Sequence, residues 1–255
     1  MSLDLTDGII KKDHLTEQIG KMFIEKKVFI WDFHDTLETG TIEILTEIAN
    51  ILLKENGSEK RYTSRELAAL PSFSWKTFFK EHLPDLTERQ IRKVAEAAYD
   101  EKRFSYLSKK YSRARKDAKR ILRNIKKHGH INIIISNSKH DKLGLYIKNV
   151  GIDHLIDEYY GIDDGTIKSR TDVLKKKVAT AKDALSRHPH HHVYAAGDSE
   201  SDFNMARALM AEKFFWVISG PDGATKGKIY KDAKAANLFF VKDLKEIASV
   251  VYLEK

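Results

Sequence analysis

The chain has 255 residues, of which 42% are hydrophobic, and a formal net charge of +8. This length fits one domain with a large insertion or two small domains, and no stretch approaches the roughly 20 apolar residues that a membrane-spanning helix needs. The sequence contains no cysteine, which excludes disulfides, thiolate metal sites and a cysteine nucleophile.

Residues 1–15, MSLDLTDGIIKKDHL, carry acidic residues early and lack the basic and then apolar order of a secretory signal. We therefore expect a cytoplasmic protein. The pattern of residues 1–20 predicts an additional amphipathic helix, to which the sequence assigns no role.

Short apolar runs bounded by turn residues recur along the chain and predict buried strands. These runs are KVFIWDF (27–33), INIIIS (131–136), HHVYAAG (191–197), FFWVIS (214–219) and LFFV (238–241). Helical patterns lie between most of them, at 117–129, 139–151, 170–188 and 200–212. Strands that alternate with helices favour an α/β fold with a parallel sheet covered on both faces, and such sheets bind ligands at the carboxyl ends of their strands.

The interval 38–115 breaks this alternation, because it shows helical periodicity throughout and no convincing strand. We interpret it as an all-helical insertion. It begins directly after the acidic turn that follows the first strand, so it could fold over that turn as a lid. The aromatic stretch 71–82 is expected to form the core of this lid, with substrate contact as the alternative.

Polar side chains follow three of the predicted strands: WDFHDT after the first, SNS after the second and GDSESD after the strand that begins at His191. Because the carboxyl ends of parallel strands meet at one edge of a sheet, we expect these side chains to lie together. The residues concerned are Asp32, Ser136, Asp198 and Asp202. Each alone has a structural reading as a helix cap or turn residue, but carboxylates gathered at one place would repel each other without a cation. Oxygen ligands favour magnesium, which keeps positions open for a substrate phosphate.

The order WDFHDTL, IIISNS, IKSR and AAGDSESD resembles the haloacid dehalogenase superfamily of Mg-dependent hydrolases. These proteins carry Asp-x-Asp-x-Thr after the first strand, a Ser or Thr after the second, a later Lys and a closing acidic pair. The resemblance implies a Rossmann-like three-layer core formed by residues 1–37 and 116–255, with an all-helical cap formed by residues 38–115. It also implies a phosphoric monoester hydrolase with Mg2+ as cofactor and a small phosphorylated substrate.

The resemblance also implies catalytic and substrate-binding residues. Asp32 stands four residues before Thr36 and so matches the nucleophile that forms an aspartyl-phosphate. A carboxylate suits this role because it is ionised at neutral pH and needs no activating base. Ser136 would bind the transferring phosphoryl oxygens, and Thr36 and Asn137 would contribute to substrate binding.

A lysine is implied as the group that neutralises charge while the phosphoryl group moves. Lys168 lies in the expected place, just before the helix that starts near Arg170. Lys175, Lys176 and Lys177 compete for the role, but their position inside a helix predicts that they face solvent.

The implied magnesium ligands come from two strand ends. They are Asp32, the backbone carbonyl of His34 and Asp198, with Asp202 supporting the site from the next shell.

His34 departs from the family pattern, because phosphatases of this family have their second aspartate there, as the general acid and base. The family's metal takes the backbone carbonyl at that position, so the exchange is compatible with magnesium binding. Three accounts stay open: His34 serves as acid and base, Asp35 swings in to do so, or the site binds phosphate and turns over poorly. Asp35 is handicapped because adjacent side chains in an extended segment point to opposite sides.

Dehalogenases of the same superfamily also lack the second aspartate, so a dehalogenase-type hydrolase is a further alternative. They work without magnesium and have no need of an acidic pair. The presence of both Asp198 and Asp202 therefore favours phosphoryl chemistry.

Two charged stretches receive structural interpretations. The basic run 109–130 has apolar residues at helical spacing, so we interpret it as a solvated helix face rather than a nucleic-acid site. RHPHHH (187–192) is expected to be a loop at the non-catalytic edge rather than a metal site, because no carboxylate partner recurs near it in sequence.

The glycine-containing loop 219–227 could border the active site. No membrane partner is expected, and the sequence leaves the oligomeric state open.

Overall fold

The computed structural model describes residues 26–70, 75–163, 169–190, 192–218 and 237–252. The strands are β1 Lys27–Trp31, β2 Glu38–Thr39, β3 Arg113–Ala114, β4 Ile131–Ser136, β5 Glu158–Gly161, β6 His192–Gly197, β7 Lys213–Val217 and β8 Leu238–Val241. The helices are α1 Thr41–Glu55, α2 Ser64–Ala68, α3 Trp75–His82, α4 Glu88–Ala97, α5 Glu101–Tyr111, α6 Ala118–Lys127, α7 His140–Asn149, α8 Arg170–Ser186, α9 Glu200–Ala208 and α10 Lys245–Tyr252, with a 3-10 turn at Asp153–Leu155.

Six strands form one parallel sheet in the order β5-β4-β1-β6-β7-β8. Strand β1 lies between β4 and β6, and Ile30 is in register with Ile133 on one side and Ala195 on the other. The predicted parallel α/β sheet is confirmed. The sequence patterns do not predict β5, because its four edge residues are only partly buried and form no apolar run.

Helices cover both faces of the sheet, as the near-continuous apolar strands require. Val28 and Ile30 belong to an apolar cluster shared with α8 and α9. Phe29 and Trp31 point to the other face, where the cluster includes residues of α6, α7, α10 and the helices between β2 and β3. The result is a three-layer arrangement built on alternate side chains of the strands.

The interval between β2 and β3 is helical from α1 to α5, as predicted, but the expectation that residues 38–115 contain no strand is wrong. Glu38 pairs with Ala114 and Thr39 with Arg113 in a short antiparallel ribbon that joins the two ends of the helical segment. Asp100 separates α4 from α5, because its side chain accepts a hydrogen bond from the N–H of Arg103 in the first turn of α5.

No helix in the described part of the chain is long and apolar enough to cross a membrane. Two predictions lie outside the described residues, namely the amphipathic helix over 1–20 and the loop 219–227.

Candidate active site

Acidic side chains meet at the carboxyl edge of the sheet. Asp32 directly follows β1, and its N–H donates to the carbonyl of Ala196 in β6 at 2.9 Å, which holds the two strand ends together. Asp32, Asp198 and Asp202 each place a carboxylate oxygen within 4.8 Å of the others. The structure therefore brings together the carboxylates that the sequence predicts at this edge.

Gly197 allows Asp202 to approach the end of β6. A Cβ at Gly197 would lie 2.4 Å from the Cβ of Asp202, so no other residue fits between strand and helix. Oδ2 of Asp202 accepts hydrogen bonds from the N–H of Ser199 at 3.2 Å and from its hydroxyl at 2.5 Å. These bonds fix the carboxylate of Asp202 at the start of α9.

Lys177 lies inside this acidic cluster, and the prediction that it faces solvent is wrong. Its side chain is fully buried, and Nζ donates to Oδ1 of Asp202 at 2.5 Å and to Oδ1 of Asp32 at 3.3 Å. Lys175 is exposed, as predicted, whereas Lys168 lies outside the described residues.

A helical signal in the sequence points to Lys177. Consecutive helical residues are about 100° apart, so Lys175, Lys176 and Lys177 face three different directions. Lys177 stands four and seven residues before Ala181 and Ala184, which are both fully buried in the apolar face of α8. This spacing distinguishes Lys177 from its two neighbours.

The buried carboxyl of Asp32 holds its proton more tightly than expected from the sequence, which predicts a group that is ionised at neutral pH. Burial, and then the carboxylate of Asp202, raise the pKa of Asp32 to about 8, while Lys177 acts in the opposite direction. Burial acts to lower the pKa of Lys177, but the carboxylates of Asp202 and Asp32 outweigh it, so this pKa lies above its ordinary value. The hydroxyl of Thr36 donates to Oδ2 of Asp32 at 3.3 Å.

The donor set fits a hard divalent cation. Three carboxylates and one ammonium group would leave two negative charges without a counter-charge when all four groups are ionised. Both oxygens of Asp202 accept hydrogen bonds of 2.5 Å, from Lys177 and Ser199, whereas the contacts of Asp32 with Lys177 and Thr36 are longer, at 3.3 Å each. Asp32 and Asp198 are therefore the carboxylates best suited to direct ligation, and oxygen donors of this kind favour magnesium.

His34 is held on both ring nitrogens. Nδ1 lies 2.7 Å from the hydroxyl of Thr41 and 3.2 Å from Oε2 of Glu38, while Nε2 lies 2.7 Å from the hydroxyl of Ser138. The Thr41 hydroxyl donates to Oε2 of Glu38 at 2.7 Å, so Nδ1–H is the donor to Thr41. Nε2 therefore faces Ser138 in the loop after β4, and the imidazole edge packs on Tyr146.

Glu38 supports this arrangement from a fully buried position in β2. Its Oε1 has no hydrogen-bond partner within the described residues. Its Oε2 accepts a hydrogen bond from the hydroxyl of Thr41 and lies beside Nδ1 of His34. Sequence reasoning missed Glu38, Thr41 and Ser138. The first two lie four and seven residues after His34, but only the turn into α1 brings them back to its ring.

Ser136 and Asn137 lie at the end of β4, as expected. Ser136 is buried, and its Oγ accepts from the N–H of Ser138 at 3.4 Å. Asn137 is exposed at the start of the following loop.

Asp35 adopts a left-handed backbone conformation with φ of 56°. Burial, followed by the charge of Glu38, raises the pKa of its carboxyl above the ordinary value. His34 and Arg115 act in the opposite direction. The backbone carbonyl of Asp35 accepts from the guanidinium of Arg115 at 2.6 Å, which ties this turn to the end of β3.

The histidines near β6 have carboxylate partners, contrary to expectation. His188 contacts Glu158 at 2.8 Å, and His192 contacts Glu212. Each contact is a separate pair, and neither belongs to the acidic cluster that could hold a metal within the described residues.

A parallel sheet covered by helices on both faces, with carboxylates gathered at its carboxyl edge, defines an α/β protein with a ligand site at that edge. A model of the haloacid dehalogenase-like hydrolases matches residues 29–215, so the chain belongs to that family, and the predicted resemblance is confirmed.

Solved structures share the fold over most of their length. A predicted phosphoglycolate phosphatase from Haemophilus somnus 129PT has a TM-score of 0.66 and 16% identity over 90% of this chain and 99% of that chain. A predicted phosphatase from Clostridium acetobutylicum has a TM-score of 0.62 and 16% identity over 91% of this chain and 100% of that chain. A haloacid dehalogenase-like family hydrolase from Streptococcus pneumoniae has a TM-score of 0.60 and 16% identity over 88% of this chain and 98% of that chain. No curated protein sequence matches the chain significantly.

Proposed function

We propose that the chain is a magnesium-dependent phosphatase that hydrolyses a small phosphate monoester through an aspartyl-phosphate on Asp32. The observation that carries this proposal is the meeting of Asp32, Asp198 and Asp202 with the buried Lys177 at the carboxyl edge of the sheet. Family membership supports hydrolysis. Two of the similar solved structures are described as predicted phosphatases, which agrees with phosphate as the group removed.

In the first step, a carboxylate oxygen of Asp32 attacks phosphorus, and the bond from phosphorus to the ester oxygen breaks. Lys177 and Thr36 already contact the two oxygens of Asp32 and so fix the direction of attack. Ser136, at the end of β4, would donate a hydrogen bond to the moving phosphoryl group. Water then hydrolyses the acyl phosphate, which releases phosphate and restores Asp32.

The magnesium ion would be held by Asp32, Asp198 and the backbone carbonyl of His34, and it would offset the repulsion between the carboxylate and an anionic phosphate. Asp202 serves this site indirectly, because it orients Lys177.

His34 is the side chain proposed to exchange a proton with the leaving group. Glu38 and Thr41 hold the ring at Nδ1, which leaves Nε2 directed at the loop that follows β4. In this proposal Asp35 has a structural role in the turn, because its backbone carbonyl accepts from Arg115 at the end of β3. Residues 38–115 serve in this proposal as the cap that selects the substrate.

A second candidate function is binding of a phosphate-bearing ligand with weakened catalysis. The observation that favours it is that both ring nitrogens of His34 already have partners in the structure. A proton can reach the leaving group only if the contact with Ser138 is exchanged.

One experiment separates these functions. The purified protein is assayed with a panel of phosphate monoesters, with magnesium and with a chelator, beside Asp32→Asn and His34→Asp. We expect metal-dependent turnover, a loss of about 1000-fold or more in Asp32→Asn, and a lower rate in His34→Asp if the histidine is the working acid. A sharp rise in His34→Asp would favour the weakened-catalysis function. Absence of turnover together with absence of phosphate-mimic binding at Asp32 would contradict both functions.

A further inference from the structure

A groove with a basic lining lies where α6 begins after β3. It has a volume of about 750 Å³ and is bordered by β3, the first turns of α6 and the end of α7. Its charged lining consists of Arg113, Arg115, Lys119, Arg120, Arg123 and one acid, Asp117. None of these residues belongs to the proposed catalytic set.

The single acid of the lining, Asp117, is paired with an arginine of the lining and also contacts the carboxyl of Asp243, which lies beside Lys116 and Lys245. Oδ1 of Asp117 lies 3.2 Å from the guanidinium of Arg120. The guanidinium of Arg113 donates to the backbone carbonyls of Ser112 and Lys110, both at 2.7 Å. Carbonyl groups carry no net charge, so the positive charge of Arg113 has no counter-charge in these contacts.

Lys119 and Arg123 stand one helical turn apart on α6, and both are exposed. Neither forms an ion pair with a carboxylate in the described parts of the chain. Like charges at this spacing destabilise a helix. An anion bound between them would remove that repulsion.

The start of α6 adds positive potential that does not come from side chains. Asp117 occupies the N-cap position in a left-handed conformation, with φ of 66°, and its side chain accepts no hydrogen bond from the first turn. An N-terminus without a side-chain cap presents N–H groups and the positive end of the helix dipole to an anion.

Arg115 adds a further positive charge to the lining of the groove. Its Nε is buried and has no hydrogen-bond partner within the described residues, while Nη2 donates to the carbonyl of Asp35. Because Nε is shielded from solvent by protein atoms, Arg115 contributes its charge to the groove rather than a direct contact through Nε.

The lining also indicates the class of ligand. It contains no aromatic side chain on which a nucleotide base could stack, and stacking is the usual basis of single-strand nucleic-acid binding. The groove volume lies in the range typical of small-molecule sites. We propose that the groove is a second anion site that binds a small polyphosphorylated molecule through its phosphate oxygens. This inference is independent of the proposed phosphatase function.

The proposal is tested by titrating the intact protein with inorganic tripolyphosphate in a calorimeter, in a chelator-containing buffer of low ionic strength. We expect saturable binding with one site, weakened at least about tenfold in the double variant Lys119→Ala/Arg123→Ala, as for loss of two charge-assisted contacts. The matched control is Arg89→Ala/Lys93→Ala, which removes an exposed Arg and Lys at the same spacing from α4. This control should bind within about twofold of the unsubstituted protein. Thermal melting verifies that both variants are folded.

Several results would overturn the proposal. One is the absence of saturable binding, and another is equal weakening in the two double variants, which would indicate diffuse charge attraction. Binding that disappears in Asp32→Asn but persists in Lys119→Ala/Arg123→Ala would place the anion at the catalytic cluster. Tighter binding of a single-stranded oligonucleotide than of tripolyphosphate at the same salt concentration would indicate a nucleic-acid surface instead.

Discussion

Lys177 is the positive charge that lies between two buried carboxylates, Asp32 and Asp202. Replacement of Lys177 by Met keeps most of the side-chain volume but leaves both carboxylates without their cation. Breaking a buried ion pair in this way typically destabilises a protein by about 3–5 kcal/mol. We therefore expect Lys177→Met to lower the free energy of unfolding by about this amount in a urea titration with a chelator.

The control for this variant is Lys175→Met, two residues earlier on the exposed side of α8. Its free energy of unfolding should change by no more than about 0.5 kcal/mol. Equal stabilities of the two variants would show that Lys177 does not compensate the buried carboxylates.

The joint between β2 and α1 depends on a glycine at position 40. Gly40 has φ of 113°, and a Cβ there would lie 2.3 Å from the backbone carbonyl oxygen of Tyr111. Gly57 also has a positive φ, of 82°, but a Cβ added there would have no other atom within 4 Å. Gly57→Ala should destabilise the protein by about 1–2 kcal/mol through backbone conformation alone.

Gly40→Ala should destabilise the protein by about 1–3 kcal/mol more than Gly57→Ala, because the added methyl group also displaces the end of α5. Urea unfolding of the two variants measures the difference. Equal destabilisation would mean that the close approach between Gly40 and Tyr111 has no energetic consequence.

At the scale of the whole molecule, a half-buried histidine makes folding sensitive to acid. Burial, followed by the charge of Lys27, lowers the pKa of His130 from 6.5 to about 4 in the folded protein. The unfolded chain therefore binds more protons than the folded chain between these values, so stability is lost as the pH falls from about 6.5 towards about 4. We expect His130→Gln to lose less stability over this range.

The control for His130→Gln is His154→Gln, since the His154 side chain is 63% exposed. Urea unfolding at several pH values between about 4 and 7 gives the slope of stability against pH for each variant. Identical slopes for His130→Gln and the unsubstituted protein would contradict the assignment of acid sensitivity to His130.

The sequence by itself determined the parallel α/β sheet, the helical segment after the first strand and the acidic strand ends. The sheet and the helices are predicted from local patterns of apolar residues. Strands β1 and β4 are recognisable as continuous apolar runs because both of their faces are buried. Elements without that periodicity escaped prediction, namely the partly exposed edge strand β5 and the two-residue strands β2 and β3.

Only the tertiary structure decided which polar side chains meet. The contact of Lys177 with Asp32 spans 145 residues, and that of His34 with Ser138 spans 104. The spacing within α8 marks Lys177 as the lysine on its buried face, but the contact with Asp32 depends on how α8 docks on the sheet. The same holds for the basic groove, where a charge run that resembles a solvated helix face acquires a concave surface only because α6 packs beside β3 and the end of α7.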